Sequence, residues 1–208
     1  AFTNLAAALA FAEIGMHVVL TDGVYTNANG LSVGRAVTIE SENGPTKTTV
    51  FTSSSVKDAW TLNAEGCAVR GLTIASDNKD VYGCGRAFDI LNGTVDSCVI
   101  TNFFVRYYDG VIMFRSGAGT MSNCLVTGCT TKQRTYFVYL ATEATVENCR
   151  FVNNVCDADS NAYGALFRFN TNGKDAVVRN CLIAGNDIGL TCDAGIFYFV
   201  NNGGRVEN

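Results

Sequence analysis

The chain has 208 residues, 48% of them hydrophobic and only 16% charged, with a formal net charge of −4. This is ample apolar material for a core, but no Lys/Arg cluster exists to release phosphate counterions, which excludes nucleic acid and an anionic membrane surface as partners. No run of 18 or more apolar residues occurs, so no membrane insertion is expected from this segment.

The first predicted element is a short helix in Leu5-Ala6-Ala7-Ala8-Leu9-Ala10-Phe11-Ala12, with Leu5, Leu9, Ala8 and Ala12 on its buried side. Glu13 and Gly15 follow at once and lead into a strand at His17, which argues against a signal-peptide core. Residues 1–16 are expected to cap the fold and residues 17–208 to form one elongated domain. With 21 glycines and a single proline, Pro45, the composition suits short strands joined by turns.

Downstream, one short phrase repeats: Val95-Asp96-Ser97-Cys98-Val99-Ile100, Met121-Ser122-Asn123-Cys124-Leu125-Val126, Val146-Glu147-Asn148-Cys149-Arg150-Phe151 and Val178-Arg179-Asn180-Cys181-Leu182-Ile183, spaced by 26, 25 and 32 residues. A repeat of this period marks a solenoid. Three apolar segments fall in each unit. The first carries Phe88/Ile90, Ile112/Phe114, Val138/Leu140, Phe167/Phe169 and Phe197/Phe199, and period-two alternation turns these inward and the residue between them outward. The second ends at Val95, Met121, Val146, Val178 and Val206, and the third is the Cys-x-Ile group. An all-β, single-stranded parallel β-helix of about seven coils is the expected fold. The last coil stops at Asn208 before its third segment, so the chain is expected to be a fragment of a longer solenoid, with further coils or another subunit at that end.

The residues preceding the cysteines are Gly71 (in the coil before the first Cys), Ser97, Asn123, Asn148 and Asn180. Gly and Asn tolerate a left-handed backbone, so a sharp bend is predicted there. Stacked coils would let the asparagines form an amide ladder. Cys98, Cys124, Cys149 and Cys181 are read as an inward column of thiols, too far apart from one another for disulfide geometry. Cys67, Cys84, Cys129, Cys156 and Cys192 lie in or beside turns, with Cys129 and Cys156 the favoured disulfide pair.

These patterns resemble the right-handed parallel β-helix proteins of the pectin-lyase-like superfamily over the whole chain. Cys149-Arg150-Phe151-Val152-Asn153-Asn154, followed by Gly164-Ala165-Leu166, is also similar to the repeats of chlamydial-type polymorphic outer-membrane proteins. The resemblance implies a capping helix over the first coil and, from the surface repeats, an extracellular or cell-surface location in a bacterium. It also supplies signatures to look for: Arg-x-Pro-x-x-Arg of pectate lyases, Gly-His-Gly of hydrolases, Gln-Asp and Asp-Phe-Ile-Phe-Gly of esterases. None is present. The leading expectation is therefore a non-catalytic scaffold, adhesin or filament component. The alternatives are a polysaccharide-acting lyase or hydrolase with catalytic coils missing from this chain, and a carbohydrate-binding module.

The surface with most binding potential is the outward stripe Asp89, Met113, Tyr139, Arg168 and Tyr198, with Arg115 beside it and Val111, Phe137, Leu166 and Ile196 along its flank. Aromatic and guanidinium groups at successive coils suit a glycan or a protein ligand. The protein's own loops or a neighbouring chain covering the stripe is the other reading. No cofactor is expected except calcium at Asp157, Asp159 and Asn161, whose spacing matches the start of a calcium loop but lacks the following Gly and bidentate Glu.

Overall fold

The structure, a computed structural model, describes all residues except 1–3, 83–84, 107–109, 133–134, 142, 158–164, 171–174, 190–194 and 201–202. The helix spans Leu5–Phe11, and the Asn4 side chain accepts a hydrogen bond from the Ala7 N–H at 2.9 Å. That satisfies one of the donors left open at a helix start. Leu5, Ala8 and Ala12 are buried and Leu9 is half-buried against the core, as the apolar spacing predicts.

The strands that follow stack, all in parallel, into four sheets among the described residues. Sheet 1 has eight strands, from His17–Leu20 to Arg205–Glu207, and sheet 2 has seven, from Gly23–Asn27 to Leu182–Ala184. Sheet 3 has four short strands, Phe104–Arg106, Thr130–Lys132, Val155–Asp157 and Asp187–Ile188. Sheet 4 has seven: Leu31–Val33, Asp58–Leu62, Arg86–Ile90, Gly110–Phe114, Tyr136–Leu140, Ala165–Phe169 and Gly195–Phe199. Each strand pairs with its counterpart one coil away, which is the parallel β-helix expected from the repeat. Sheet 3 was not foreseen, because its three-residue strands carry no pattern longer than one alternation.

The predicted inward residues share register columns. Phe88, Ile112, Val138, Phe167 and Phe197 face one another across sheet 4. Phe167 stacks on Phe197 at 5.3 Å and Phe169 on Phe199 at 4.5 Å, while Phe151 from sheet 2 meets Phe167 edge-on at 4.8 Å. Coils of similar girth are thus joined through ring contacts that run along the core.

Bends between sheets 1 and 2 lie where the sequence places them. Gly71, Ser97, Asn123, Asn148 and Asn180 all have φ between 51° and 60°, the left-handed region that Gly and Asn enter at least cost. The amide ladder expected there is corrected. Asn123 Nδ2 donates instead to Asp96 Oδ1 at 2.8 Å, because the bend directs its amide onto the carboxylate of the previous coil. Burial pushes the Asp96 carboxyl up, but hydrogen bonds from Ser122, Asn123 and Ser97 outweigh it and hold the group below the usual aspartate range.

An amide ladder does form at a second bend, where sheet 2 passes to sheet 3 at Asn102, Gly128, Asn153 and Gly185, all with positive φ. Asn154, 1% exposed, accepts from the Cys129 N–H at 3.1 Å and donates to Val126 O at 3.0 Å and to Asn186 Oδ1 at 2.9 Å. Asn186 repeats the pattern one coil later, donating to Phe151 O at 2.7 Å.

Register places Cys98, Cys124, Cys149 and Cys181 one above another, between the paired strands of sheets 1 and 2. Each thiol faces the carbonyl two residues earlier, at 3.0 to 3.3 Å, and a second carbonyl on the previous coil. A small apolar residue with a weak donor fits this position, where the thiol lies among carbonyls of its own coil and the previous one. The expected Cys129–Cys156 disulfide is corrected. Pairing sets Thr131 opposite Cys156 and the Cys129 amide against Asn154, so the two cysteines are offset along the strands. Cys129 keeps its thiol, and burial pushes it up to about 12. Cys84 and Cys192 lie outside the described residues.

Candidate functional site

On the outer face of sheet 4, Thr61, Asp89, Met113, Tyr139, Arg168 and Tyr198 share one register column in that order. With strands about 4.8 Å apart, the column runs roughly 24 Å along the coil axis. The structure therefore puts the predicted stripe on one face, but divides it into two clusters. Met113, buried, separates them.

The first cluster is ionic. Arg115 grips Asp89 with two parallel bonds, Nε to Oδ1 at 2.7 Å and Nη2 to Oδ2. The Arg115 backbone N–H donates to Ile90 O, which brings its side chain over the coil that carries Asp89. Arg86 Nη1 lies 3.8 Å from the same Asp89 Oδ2 and 2.7 Å from Asp58 Oδ1. Asp58 and Arg86 occupy one register position on adjacent strands, two residues ahead of the inward Trp60 and Phe88. Their contact is close but out of line for a hydrogen bond. Side-chain exposure is 2% for Arg86, 6% for Asp89, 20% for Asp58 and 43% for Arg115. Burial pushes the Asp58 carboxyl above its ordinary value against the pull of Arg86, and the nearby Asp89 charge adds to the rise.

The second cluster is aromatic. Arg168 Nη1 donates to Tyr136 Oη, and its guanidinium carbon sits 4.6, 5.5 and 5.7 Å from the ring centroids of Tyr136, Tyr139 and Tyr198. Cation–π attraction to three rings holds the guanidinium in place. Burial keeps the Tyr136 hydroxyl above its ordinary value, with Arg168 opposing. Tyr139, Arg168 and Tyr198 are half-buried.

Along the flank, Val111, Phe137 and Leu166 are at most 1% exposed, and only Ile196 remains open, at 40%. Val111, Phe137 and Leu166 belong to the hydrophobic core, and Asp89 and Met113 are buried as well, so the accessible part of the stripe is Arg115, Tyr139, Arg168 and Tyr198. Sequence reading missed Asp58, Arg86 and Tyr136. All three stand two residues before an inward core residue, where alternation predicts a buried position. The available signal was opposite charge at one repeat position on neighbouring coils. Of the calcium candidates, Asp159 and Asn161 lie outside the described residues, and Asp157 is exposed and 3.5 Å from Lys132 Nζ. Among the described residues, no group of three or more His, Cys, Asp or Glu side chains could hold a metal.

No family model and no curated protein sequence matches the chain. Solved structures do. Pectin methylesterase PemA from Erwinia chrysanthemi superposes with a TM-score of 0.50 at 14% identity, over 89% of this chain and 77% of that one. The chain has the parallel β-helix fold. The catalytic domain of a GH87 α-1,3-glucanase in complex with nigerose gives a TM-score of 0.50 at 15% identity, over 90% of this chain but only 40% of that domain.

The expectation of a non-catalytic scaffold, adhesin or filament component is corrected by these findings. The solved structures whose fold this chain shares are polysaccharide-acting enzymes. The expectation had rested on the missing catalytic signatures and the likeness to surface repeats, neither of which reveals that Asp58, Arg86, Asp89 and Arg115 gather in one ionic cluster. Among the described residues no helix is long and apolar enough to cross a membrane.

Proposed function

We propose that the chain is part of an extracellular enzyme acting on polysaccharide, with the glycan lying along the outer face of sheet 4. The observation that carries this is the shared register column. It sets Asp89 at one end, with Asp58 brought near it through Arg86, and an arginine packed by three tyrosines at the other. Sugar rings have apolar C–H faces that stack on tyrosine and hydroxyls that bond guanidinium and carboxylate groups. Paired carboxyls in different environments are what acid–base chemistry on a glycan requires. The enzyme folds found by superposition support the same reading, whereas the likeness to bacterial surface repeats rests on two short motifs, at residues 149–154 and 164–166.

The test is turnover and binding on methylesterified pectin and on α-1,3-glucan, measured as released acid, reducing ends and retardation in glycan-loaded gels. One of these polymers is expected to be bound and processed. Asp89→Asn is expected to lower turnover by about a hundredfold or more, and Tyr139→Ala combined with Tyr198→Ala to weaken binding about tenfold. Binding unaltered in the double variant would remove the tyrosines from the site, and no binding or turnover on either polymer would count against the reading.

A further inference from the structure

We propose that Asp58 is the residue that holds and exchanges the proton at this site, and that Arg86 is a positioning residue tying it to the anchored Asp89; this rests on the glycan-site reading above. Three observations converge on it. Both carboxyl groups meet the same Arg86 Nη1, so the proton affinity of one depends on the charge of the other. The positive charge is unequally shared: Asp89 has the two-bonded fork of Arg115 as well as Arg86, whereas Asp58 has one misaligned contact. Access is unequal too, since the Asp58 side chain is 20% exposed and that of Asp89 6%.

The charged groups facing Asp58 are Arg86, Asp89, Arg115 and Lys57, and desolvation together with the Asp89 charge outweighs the attraction of the three cations in favouring the protonated form. As an acid, Asp58 donates a hydrogen bond to a saccharide oxygen. When the proton leaves, the O–H electron pair stays on Asp58, and the anion formed is already beside Arg86. The buried guanidinium is fixed before the charge develops, which lowers the reorganisation needed at that moment.

The experiment is a carboxyl-carbon NMR titration of the protein carrying ¹³C-labelled aspartate, with the Asp58 signal assigned by its loss in Asp58→Asn. The Asp58 midpoint is expected above that of aspartate in an unfolded peptide and is expected to fall in Asp89→Asn, which removes the facing negative charge. In parallel, the affinity for nigero-oligosaccharides or oligogalacturonates is measured against pH. Wild-type affinity is expected to drop as pH rises through the Asp58 midpoint, and Asp58→Asn to abolish that drop while retaining binding. Asp58→Ser gives a second neutral variant should the amide perturb folding. An Asp58 midpoint at or below the unfolded value overturns the proposal even where glycan binds. A raised midpoint that responds to Asp89→Asn, with no glycan bound at any pH, supports Asp58 as proton carrier and overturns the glycan reading instead.

Discussion

Replacing Asn154 by leucine is expected to lower unfolding stability by about 3–5 kcal/mol, read from the urea midpoint. The side chain is of similar size, so the loss comes from polar groups. The Cys129 N–H and the Val126 carbonyl both depend on this amide, and Asn186 loses a neighbour in the ladder. Each buried group left unsatisfied costs about 1–3 kcal/mol. By contrast, Asn148→Ala at the exposed bend between sheets 1 and 2 is expected to cost only about 1 kcal/mol, the strain of a left-handed alanine. Equal losses at the two positions would mean that the buried amides do not carry the register between coils.

Arg86→Met is expected to have the larger effect on the site. Arg86 is almost fully buried and in contact with two carboxyl groups, and removing one partner from a buried ionic cluster costs about 3–5 kcal/mol. The penalty is expected to depend on pH in a definite sense. Without the guanidinium, the folded-state pKa of Asp58, already above its unfolded value, rises further. Its protonated form then contributes stability that is fully present below the unfolded value and is lost as pH rises through the folded one. The variant should therefore be closest to wild type near pH 4 and weakest near pH 7 in thermal unfolding. A deficit that does not change with pH would show that Arg86 contributes packing alone.

These two residues also show where reading the sequence succeeded and where it stopped. The Cys98, Cys124, Cys149 and Cys181 column, the left-handed bends before it and the inward Phe/Ile pairs were legible because each recurs at a fixed place in the repeat. Asn154 was not recognised as a ladder residue because Asn123, Asn148 and Asn180 carry the more regular signal. These three residues are exposed, however, and Asn123 donates to the Asp96 carboxylate rather than to another amide. Arg86 and Asp58 were hidden by the opposite effect: a position that alternation marks as interior holds a charged pair, which pays only where neighbouring coils supply both signs. The outward column shares one register as expected, but its burial was not legible, since Val111, Phe137 and Leu166 join the core where strict alternation would turn them outward.

The central claim is that glycan lies on the outer face of sheet 4, and the most direct measurement is a crystal structure of the protein soaked with a nigero- or galacturono-oligosaccharide. Sugar density stacked on Tyr139 and Tyr198, bonded to Arg168 or Arg115 and reaching Asp58, is the predicted result. Saccharide bound on sheets 1 or 2 or beside the N-terminal helix, with the sheet 4 column untouched, would contradict it.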